Sequence, residues 1–151
     1  MLRIGEQAPQ IKGLNQEGSL VDTNTYIGSK NLIIYFYPKD ETKGCTAQAC
    51  SFRDAYEDFK ELNCEVIGVS GDSEGSHKNF AEHHRLPFIL LSDKNKEIRK
   101  AFQVPKDFLG LIPGRYTFVI NKDGVIIDIF HDAINMQKHV QSALEKIKSQ
   151  G

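Results

Sequence analysis

The sequence predicts an α/β fold with a central mixed β-sheet flanked by helices. Two observations support this fold class. Apolar segments rich in β-branched and aromatic residues alternate with segments whose apolar residues recur every three to four positions. In addition, the turn-forming residues 121–124 (NKDG) separate two apolar runs, which favours an antiparallel hairpin beside parallel strands. The length of 151 residues suits one domain, to which we assign residues 1–151.

The first clear elements form a βαβ unit. Residues 31–37 (NLIIYFY) show no polar alternation, so we expect a strand that is buried on both faces and is ended by Pro38. Apolar residues with helical spacing predict an amphipathic helix from about residue 46 to residue 62. Residues 64–70 (CEVIGVS) return to strand character. Two strands joined by one helix should lie parallel in the same sheet.

The second half of the chain continues the alternation. We expect helices over residues 75–84 and 94–102, and strands over residues 88–91, 116–120 and 125–130. The last two strands should pair antiparallel across the NKDG turn. A final helix is predicted, with Asn135 as its cap and an apolar stripe of Met136, Val140, Leu144 and Ile147.

Two cysteines five residues apart form the most informative motif of the chain. Cys45 lies where the predicted helix begins, and unpaired N–H groups and the helix dipole favour the reactive thiolate there. In an ideal helix, Cα atoms five residues apart are separated by about 8.7 Å, whereas a disulfide requires about 4.4–6.8 Å. Cys45 and Cys50 therefore either never pair or pair only when the first helical turns melt, which Gly44 would ease. We hypothesise that local unfolding couples oxidation to disulfide formation.

Charge and composition exclude several classes of protein. The net charge of −1 gives no overall attraction to nucleic acid or to an anionic membrane. The sequence has no run of about 18 apolar residues that could span a membrane, and its first residues lack the apolar core of a signal peptide. Three cysteines, an odd number, argue against a secreted disulfide scaffold. We expect a cytoplasmic protein with neither a nucleic acid nor a membrane as partner.

The segment around Cys45 resembles the active-site signature of the peroxiredoxins. It reads FYPxxxTxxCTxQAC over residues 36–50. The second cysteine at this spacing is similar to that of the bacterioferritin comigratory protein, or peroxiredoxin Q, subfamily. The resemblance runs almost from end to end, since matching motifs occur near residues 5–9 (GEQAP), 68–70 (GVS), 86–88 (LPF) and 115–118 (RYTF).

The resemblance implies a thioredoxin-like fold and a role for five residues. Cys45 would be the peroxidatic cysteine that attacks a peroxide oxygen and becomes a sulfenic acid. Cys50 would be the resolving cysteine, which forms an intramolecular disulfide that thioredoxin or an equivalent dithiol reductant then reduces. Thr42 would hydrogen-bond the thiolate and the peroxide, Pro38 would shield the pocket from water, and Arg115 would stabilise the thiolate and the transition state.

The same resemblance implies hydrogen peroxide or organic hydroperoxides as substrates, and no metal, haem or flavin cofactor. It also suggests a monomer or a weak dimer. Three other functions remain open at this stage. A cysteine metal site lacks a fourth ligand at suitable spacing, and a thioredoxin-type oxidoreductase would carry Cys-x-x-Cys. A non-catalytic thioredoxin-like module for redox sensing or thiol–disulfide exchange would need Cys45 but not the full residue set.

The remaining candidates receive structural interpretations. Thr42 can simply cap the helix. Cys64 opens a predicted strand and is expected to be a buried structural thiol. The apolar residues 108–114 are expected to pack on the core, although they could instead line a pocket for hydrophobic peroxides. The histidines are expected to face solvent without a catalytic or metal-binding role: His77, His83, His84, His131 and His139.

Overall fold

A seven-stranded mixed sheet with helices on both faces is the framework of the computed structural model, which describes residues 2–107 and 112–150. The strands are β1 (Lys12–Leu14), β2 (Leu20–Asp22), β3 (Asn31–Phe36), β4 (Cys64–Ser70), β5 (Ile89–Ser92), β6 (Lys106–Asp107), β7 (Ile112–Pro113), β8 (Tyr116–Ile120) and β9 (Ile126–His131). The helices are α1 (Lys43–Asp54), α2 (Tyr56–Glu61), α3 (Glu74–His84), α4 (Glu97–Ala101) and α5 (Met136–Gln150).

The strand order of the sheet is β2-β1-β5-β4-β3-β8-β9, and β6 pairs with β7 in a separate two-stranded sheet. Strands β3, β4 and β5 are parallel neighbours, whereas β8 and β9 are antiparallel, as is β8 against β3. The predicted α/β class, the mixed sheet and the hairpin across the NKDG turn are therefore confirmed. The β1–β2 hairpin was not predicted, because each of its strands has only three residues and no clear apolar alternation.

Strand β3 is buried on both faces, as predicted. Ile33 and Tyr35 belong to the core on one face of the sheet, together with apolar residues of α1, α2, α3 and α5. Ile34 and Phe36 belong to the second core, on the opposite face. Because β3 is central and anchored on both sides, its C-terminal end is a rigid support for the loop that follows it.

The predicted helix over residues 46–62 is wrong in its bounds. The structure has two helices there, because the backbone leaves helical geometry at Ala55, where ψ is 0°. Helix α1 also begins earlier than predicted, with Thr42 at its N-cap position. Cys45 therefore lies within the first helical turn, not ahead of the helix. The predicted cap of the last helix is confirmed, since the Asn135 side chain accepts a hydrogen bond from Lys138 N at 3.3 Å.

The prediction that all five histidines face solvent is wrong for His77 and His139, which are both fully buried. Their helical positions are flanked by polar residues, but each imidazole has a hydrogen-bond partner for both ring nitrogens inside the protein. A buried polar ring with both nitrogens satisfied carries little desolvation cost. His83 and His131 are exposed, and His84 is mostly buried.

Cys64 is buried at the start of β4, as predicted, and burial raises the pKa of its thiol to about 12. The prediction for residues 108–114 concerns side chains that lie outside those the structure describes. In the part of the chain that is described, no helix combines the length and the apolar character needed to cross a membrane.

Candidate active site

Cys45 is the third residue of α1 and is almost completely buried. Strand β3 ends at Phe36, and the loop over residues 37–42 returns the chain to the start of the helix. The N–H groups of a first helical turn have no partner within the helix, and they point towards its N-terminus. The sulfur of Cys45 therefore lies where a negative charge is favoured.

Arg115 approaches Cys45 from the residue just before β8. Its Nη1 donates to Cys45 Sγ at 3.3 Å and to Gln48 Oε1 at 2.7 Å, and the side chain is largely buried. A methyl group at Gly44 would lie only 3.3 Å from Arg115 Nη2, so the glycine leaves room for the guanidinium at the helix terminus. The structure thus brings together two residues, Cys45 and Arg115, that are 70 positions apart.

Gln48 is a site residue to which the sequence reasoning assigned no role. It is fully buried, and its Oε1 accepts the shorter of the two Arg115 hydrogen bonds. Two signals were available: Gln48 is one of the fixed positions of the motif over residues 36–50, and a residue three positions after Cys45 lies on the same face of a helix. Gln48 fixes the guanidinium through its side-chain carbonyl, and it does so without adding a negative charge that would compete with the thiolate.

Thr42 occupies the N-cap position, but its hydroxyl makes no capping bond to the helix. Instead, Thr42 Oγ1 donates to the carbonyl oxygen of Lys39 at 2.8 Å. The structure therefore places Thr42 next to the first turn without joining its hydroxyl to Cys45 Sγ. Pro38 is half-buried at the start of the same loop.

Cys50 is half-buried on α1, and the helix is continuous from residue 43 to residue 54. Cys45, Cys50 and Cys64 are all free thiols. With α1 intact, Cys45 and Cys50 are separate thiols on the same helix. Any disulfide between them requires a change in the first turns of α1.

Two polar atoms near Cys45 are buried and have no hydrogen-bond partner among the described residues. They are Gln48 Nε2 and the hydroxyl of Tyr35. Burial raises the pKa of Tyr35 well above its usual value, and a charge on Cys45 would raise it further. A buried polar atom without a partner carries a desolvation cost of about 1–3 kcal/mol.

A second layer of polar residues lies behind Arg115. The Thr117 hydroxyl donates to His139 Nδ1 at 2.7 Å, and His139 Nε2 donates to the carbonyl oxygen of Asp132 at 2.7 Å. Burial lowers the pKa of His139 to about 4, and the charge of Arg115 contributes in the same direction. His139 is therefore neutral at neutral pH, and Arg115 is the cation that faces Cys45.

The loop before Thr42 is anchored by Asp40, which is buried and was not predicted as important. Its carboxylate accepts from the hydroxyls of Tyr37 and Ser76 and contacts His77 Nδ1 at 2.6 Å. Its backbone N–H donates to Asp72 at 2.8 Å. These bonds join the loop to α3 and to the end of β4, so the support on this side of Cys45 is rigid.

Comparisons with known proteins show which family this chain belongs to. Residues 4–129 match the model of the AhpC/TSA family. Among curated proteins, chloroplastic peroxiredoxin Q of Sedum lineare is 45% identical over 145 residues, which cover 96% of this chain and 77% of that protein. Chloroplastic peroxiredoxin Q of Populus jackii is also 45% identical, over 96% of this chain and 68% of that protein.

Solved structures give the same result for the fold. The peroxidoxin BcpB of Mycobacterium tuberculosis superposes with a TM-score of 0.90 at 28% identity, over 99% of this chain and 98% of that one. The bacterioferritin comigratory protein of Xanthomonas campestris, studied for its alkyl peroxide reduction activity, has a TM-score of 0.85 at 27% identity, over 93% of this chain and 91% of that one. The thioredoxin-like fold predicted from the resemblance is confirmed.

Proposed function

This chain belongs to the AhpC/TSA family and is a thiol peroxidase of the peroxiredoxin Q type, and from this premise we propose that Cys45 is its peroxidatic residue and Cys50 its resolving residue. The observation that carries the proposal is the buried Cys45 sulfur, 3.3 Å from the Arg115 guanidinium in the first turn of α1. A cation and a helix terminus both stabilise the thiolate, which is the nucleophilic form.

In the first step, the Cys45 thiolate attacks the terminal oxygen of a hydroperoxide. The S–O bond forms while the O–O bond breaks, so sulfur is oxidised to a sulfenic acid and the peroxide is reduced. The departing oxygen leaves as alkoxide or hydroxide and takes a proton from solvent, which gives an alcohol or water. Alkyl peroxide reduction by the Xanthomonas campestris protein supports organic hydroperoxides as substrates besides hydrogen peroxide.

Arg115 and the first helical turn stabilise the negative charge as it moves from sulfur to the departing oxygen. Gln48 holds the guanidinium in place, and its unpaired Nε2 is a further donor at the site. The Thr42 hydroxyl turns from Lys39 O towards the bound peroxide, which needs rotation only about its side-chain torsions. Pro38 limits the access of water to this pocket.

In the second step, the Cys50 thiol attacks the sulfenic sulfur of Cys45, and water leaves as the disulfide forms. The first turns of α1 must melt for this step, because an intact helix keeps the two Cα atoms about 8.7 Å apart. Melting also exposes the disulfide. A thioredoxin-type dithiol protein then reduces it by thiol–disulfide exchange, and α1 forms again.

The cellular location and the oligomeric state belong to the proposal as well. Three cysteines, an odd number, argue against a secreted disulfide scaffold, which supports the cytoplasm. The subfamily resemblance supports a monomer or a weak dimer. Fractionation of cells and sedimentation analysis at several protein concentrations test these two points.

The catalytic cycle is tested by stopped-flow reaction of the reduced protein with hydrogen peroxide, followed by mass spectrometry. Wild-type protein should lose two hydrogens in a crosslink that maps to residues 45 and 50. Cys50→Ser should stop at a sulfenic acid on Cys45, whereas Cys64→Ser should behave as wild type. Turnover with thioredoxin distinguishes this peroxidase from a redox-sensing or thiol–disulfide exchange module, which would react once and stop.

A further inference from the structure

A second cluster of chemically active side chains lies on the surface next to the loop that precedes Cys45. Glu41 is in that loop, and His83 and His84 are the last two residues of α3. His83 Nδ1 lies 3.0 Å from Glu41 Oε2, and His84 Nε2 lies 2.9 Å from Glu41 Oε1. The two imidazole rings are 4.1 Å apart between centroids. One nitrogen of each ring is therefore directed at the same carboxylate.

The chemistry and spacing of these three groups suit a divalent transition metal. One ligand atom from each residue lies within 4.8 Å of the other two. In a tetrahedral zinc site with bonds of about 2.0–2.1 Å, ligand atoms are separated by roughly 3.3 Å. Two imidazoles with one carboxylate form a ligand set that zinc uses in proteins, with water in the fourth position.

The location also favours a cation. His83 and His84 lie in the last turn of α3, where the helix dipole presents its negative end. Arg53 Nη1 donates to the carbonyl oxygen of His84 at 2.8 Å, which fixes the backbone of this turn. Glu41 has a left-handed backbone with φ of 62°, a conformation that is uncommon for a residue other than glycine.

The described residues contain one other group of side chains that could hold a metal ion, but its polar atoms are already hydrogen-bonded. Asp40, Asp72 and His77 also come within ligand distance of one another. Their oxygens and nitrogens are, however, already engaged by hydroxyls, a backbone N–H and the carbonyl oxygen of Leu91. That group is a structural hydrogen-bond network. The surface cluster keeps an open side, because the side chains of His83 and Glu41 are 66% and 45% exposed.

We propose that Glu41, His83 and His84 form a binding site for Zn²⁺. The metal takes the place of the hydrogen bonds between the two ring nitrogens and the carboxylate, and each ligating imidazole is neutral with its proton on the other ring nitrogen. Glu41 directly precedes Thr42, and zinc would therefore join the loop before Cys45 to the C-terminus of α3. The bound metal stabilises the folded chain by mass action.

The test uses the full chain with Cys45→Ser and Cys50→Ser, so that the active-site thiol and the half-buried thiol of α1 cannot bind zinc. Cys64 remains, because its buried thiol stays protonated at neutral pH. Calorimetric titration with zinc alone gives stoichiometry and affinity, and imidazole NMR signals report which histidines respond. Glu41→Gln and His83→Ala test the ligands. His84 is kept, because its ring packs edge-on against Phe80 at 5.2 Å and its loss could disturb α3.

The expected result is one zinc ion per chain, with the signals of His83 and His84 displaced and that of His139 unchanged. Each ligand variant should weaken binding by at least about tenfold and reduce the rise in Tm that zinc causes. Glu82→Gln is the matched control, because it removes an equal charge from the same exposed turn and should leave the affinity unchanged. Absence of zinc binding, or equal affinities in all variants, would overturn the proposal. No peroxide is involved, so neither result depends on the proposed catalytic cycle.

Discussion

Arg115 divides its Nη1 hydrogen bonds between the sulfur of Cys45, at 3.3 Å, and the side-chain oxygen of Gln48, at 2.7 Å. The guanidinium is thus held by a neutral acceptor while it faces the group that becomes charged. Electrostatic preorganisation of this kind needs no rearrangement at the moment of reaction. The positive charge is available both to the thiolate and to the departing peroxide oxygen.

Arg115→Ala should therefore slow the reaction of reduced protein with hydrogen peroxide by more than about tenfold, since one charged donor at a transition state contributes a few kcal/mol. Stopped-flow kinetics measure the rate, and circular dichroism checks that the fold remains. Arg3→Ala is the charge-matched control, because Arg3 is exposed. An Arg115→Ala protein that is folded and reacts as fast as wild type would remove Arg115 from the mechanism.

The contact between Arg115 and Cys45 separates the part of the site that local sequence patterns predict from the part that they do not. The strand, the helix and Cys45 at the helix start follow from local periodicity and position. Arg115 is 70 residues away from Cys45, and nothing in the local pattern distinguishes it from Arg53, Arg85 or Arg99. Only the resemblance to the peroxiredoxins selected it, because a long-range contact depends on the order of strands in the sheet.

The errors of prediction also have physical causes. His77 and His139 are flanked by polar residues, and their burial depends on hydrogen-bond partners supplied by β5, β8 and the turn at Asp132. Such partners are invisible to hydrophobic periodicity, which reads a polar residue as exposed. The break at Ala55 was missed because apolar spacing continues across it from Phe52 to Phe59.

Disulfide formation should be accompanied by loss of structure in the first turns of α1. In the reduced protein, the amides of residues 46–52 are hydrogen-bonded within a continuous helix and should exchange slowly with deuterium. In the disulfide form they should exchange much faster, whereas those of β3 and β4 should keep their protection. Mass spectrometry of peptic fragments measures both states.

The matched control for the exchange experiment is Cys50→Ser after one equivalent of peroxide. It should carry the sulfenic acid but keep the protection of α1, because no crosslink pulls the helix apart. Equal protection of residues 46–52 in the reduced and disulfide forms of the wild type would contradict the local-unfolding hypothesis.

Tyr35→Phe should leave the free energy of unfolding unchanged or raise it by up to about 1 kcal/mol. The Tyr35 hydroxyl is buried and has no hydrogen-bond partner among the described residues, so its removal ends a desolvation cost without breaking a bond. Denaturant unfolding of the reduced protein measures the change. A loss above about 1 kcal/mol would show that the hydroxyl is bonded in solution. If the stability is unchanged but disulfide formation between Cys45 and Cys50 is slower, the hydroxyl would instead have its role after Cys45 has been oxidised.

The stability of the folded chain should fall as the pH decreases from about 6.5 to about 4, in part because of His139. Its pKa is lowered from 6.5 to about 4 in the folded state, so between these values the unfolded chain binds the additional proton. The part of the free energy of unfolding that comes from His139 is fully present above pH 6.5 and is lost as the pH falls towards 4. A shift of this size corresponds to roughly 3 kcal/mol at most.

Two measurements check this pH dependence. NMR titration of the imidazole should find His139 neutral down to about pH 4, with the proton on Nε2, because Nδ1 accepts from Thr117 and Nε2 donates to Asp132 O. Denaturant unfolding at several pH values should show a shallower decline between pH 6.5 and 4 for His139→Gln than for wild type, since glutamine does not titrate. Equal slopes for the two proteins, or a His139 ring that becomes charged near pH 6.5, would mean that the ring is not held as the Thr117 and Asp132 contacts require.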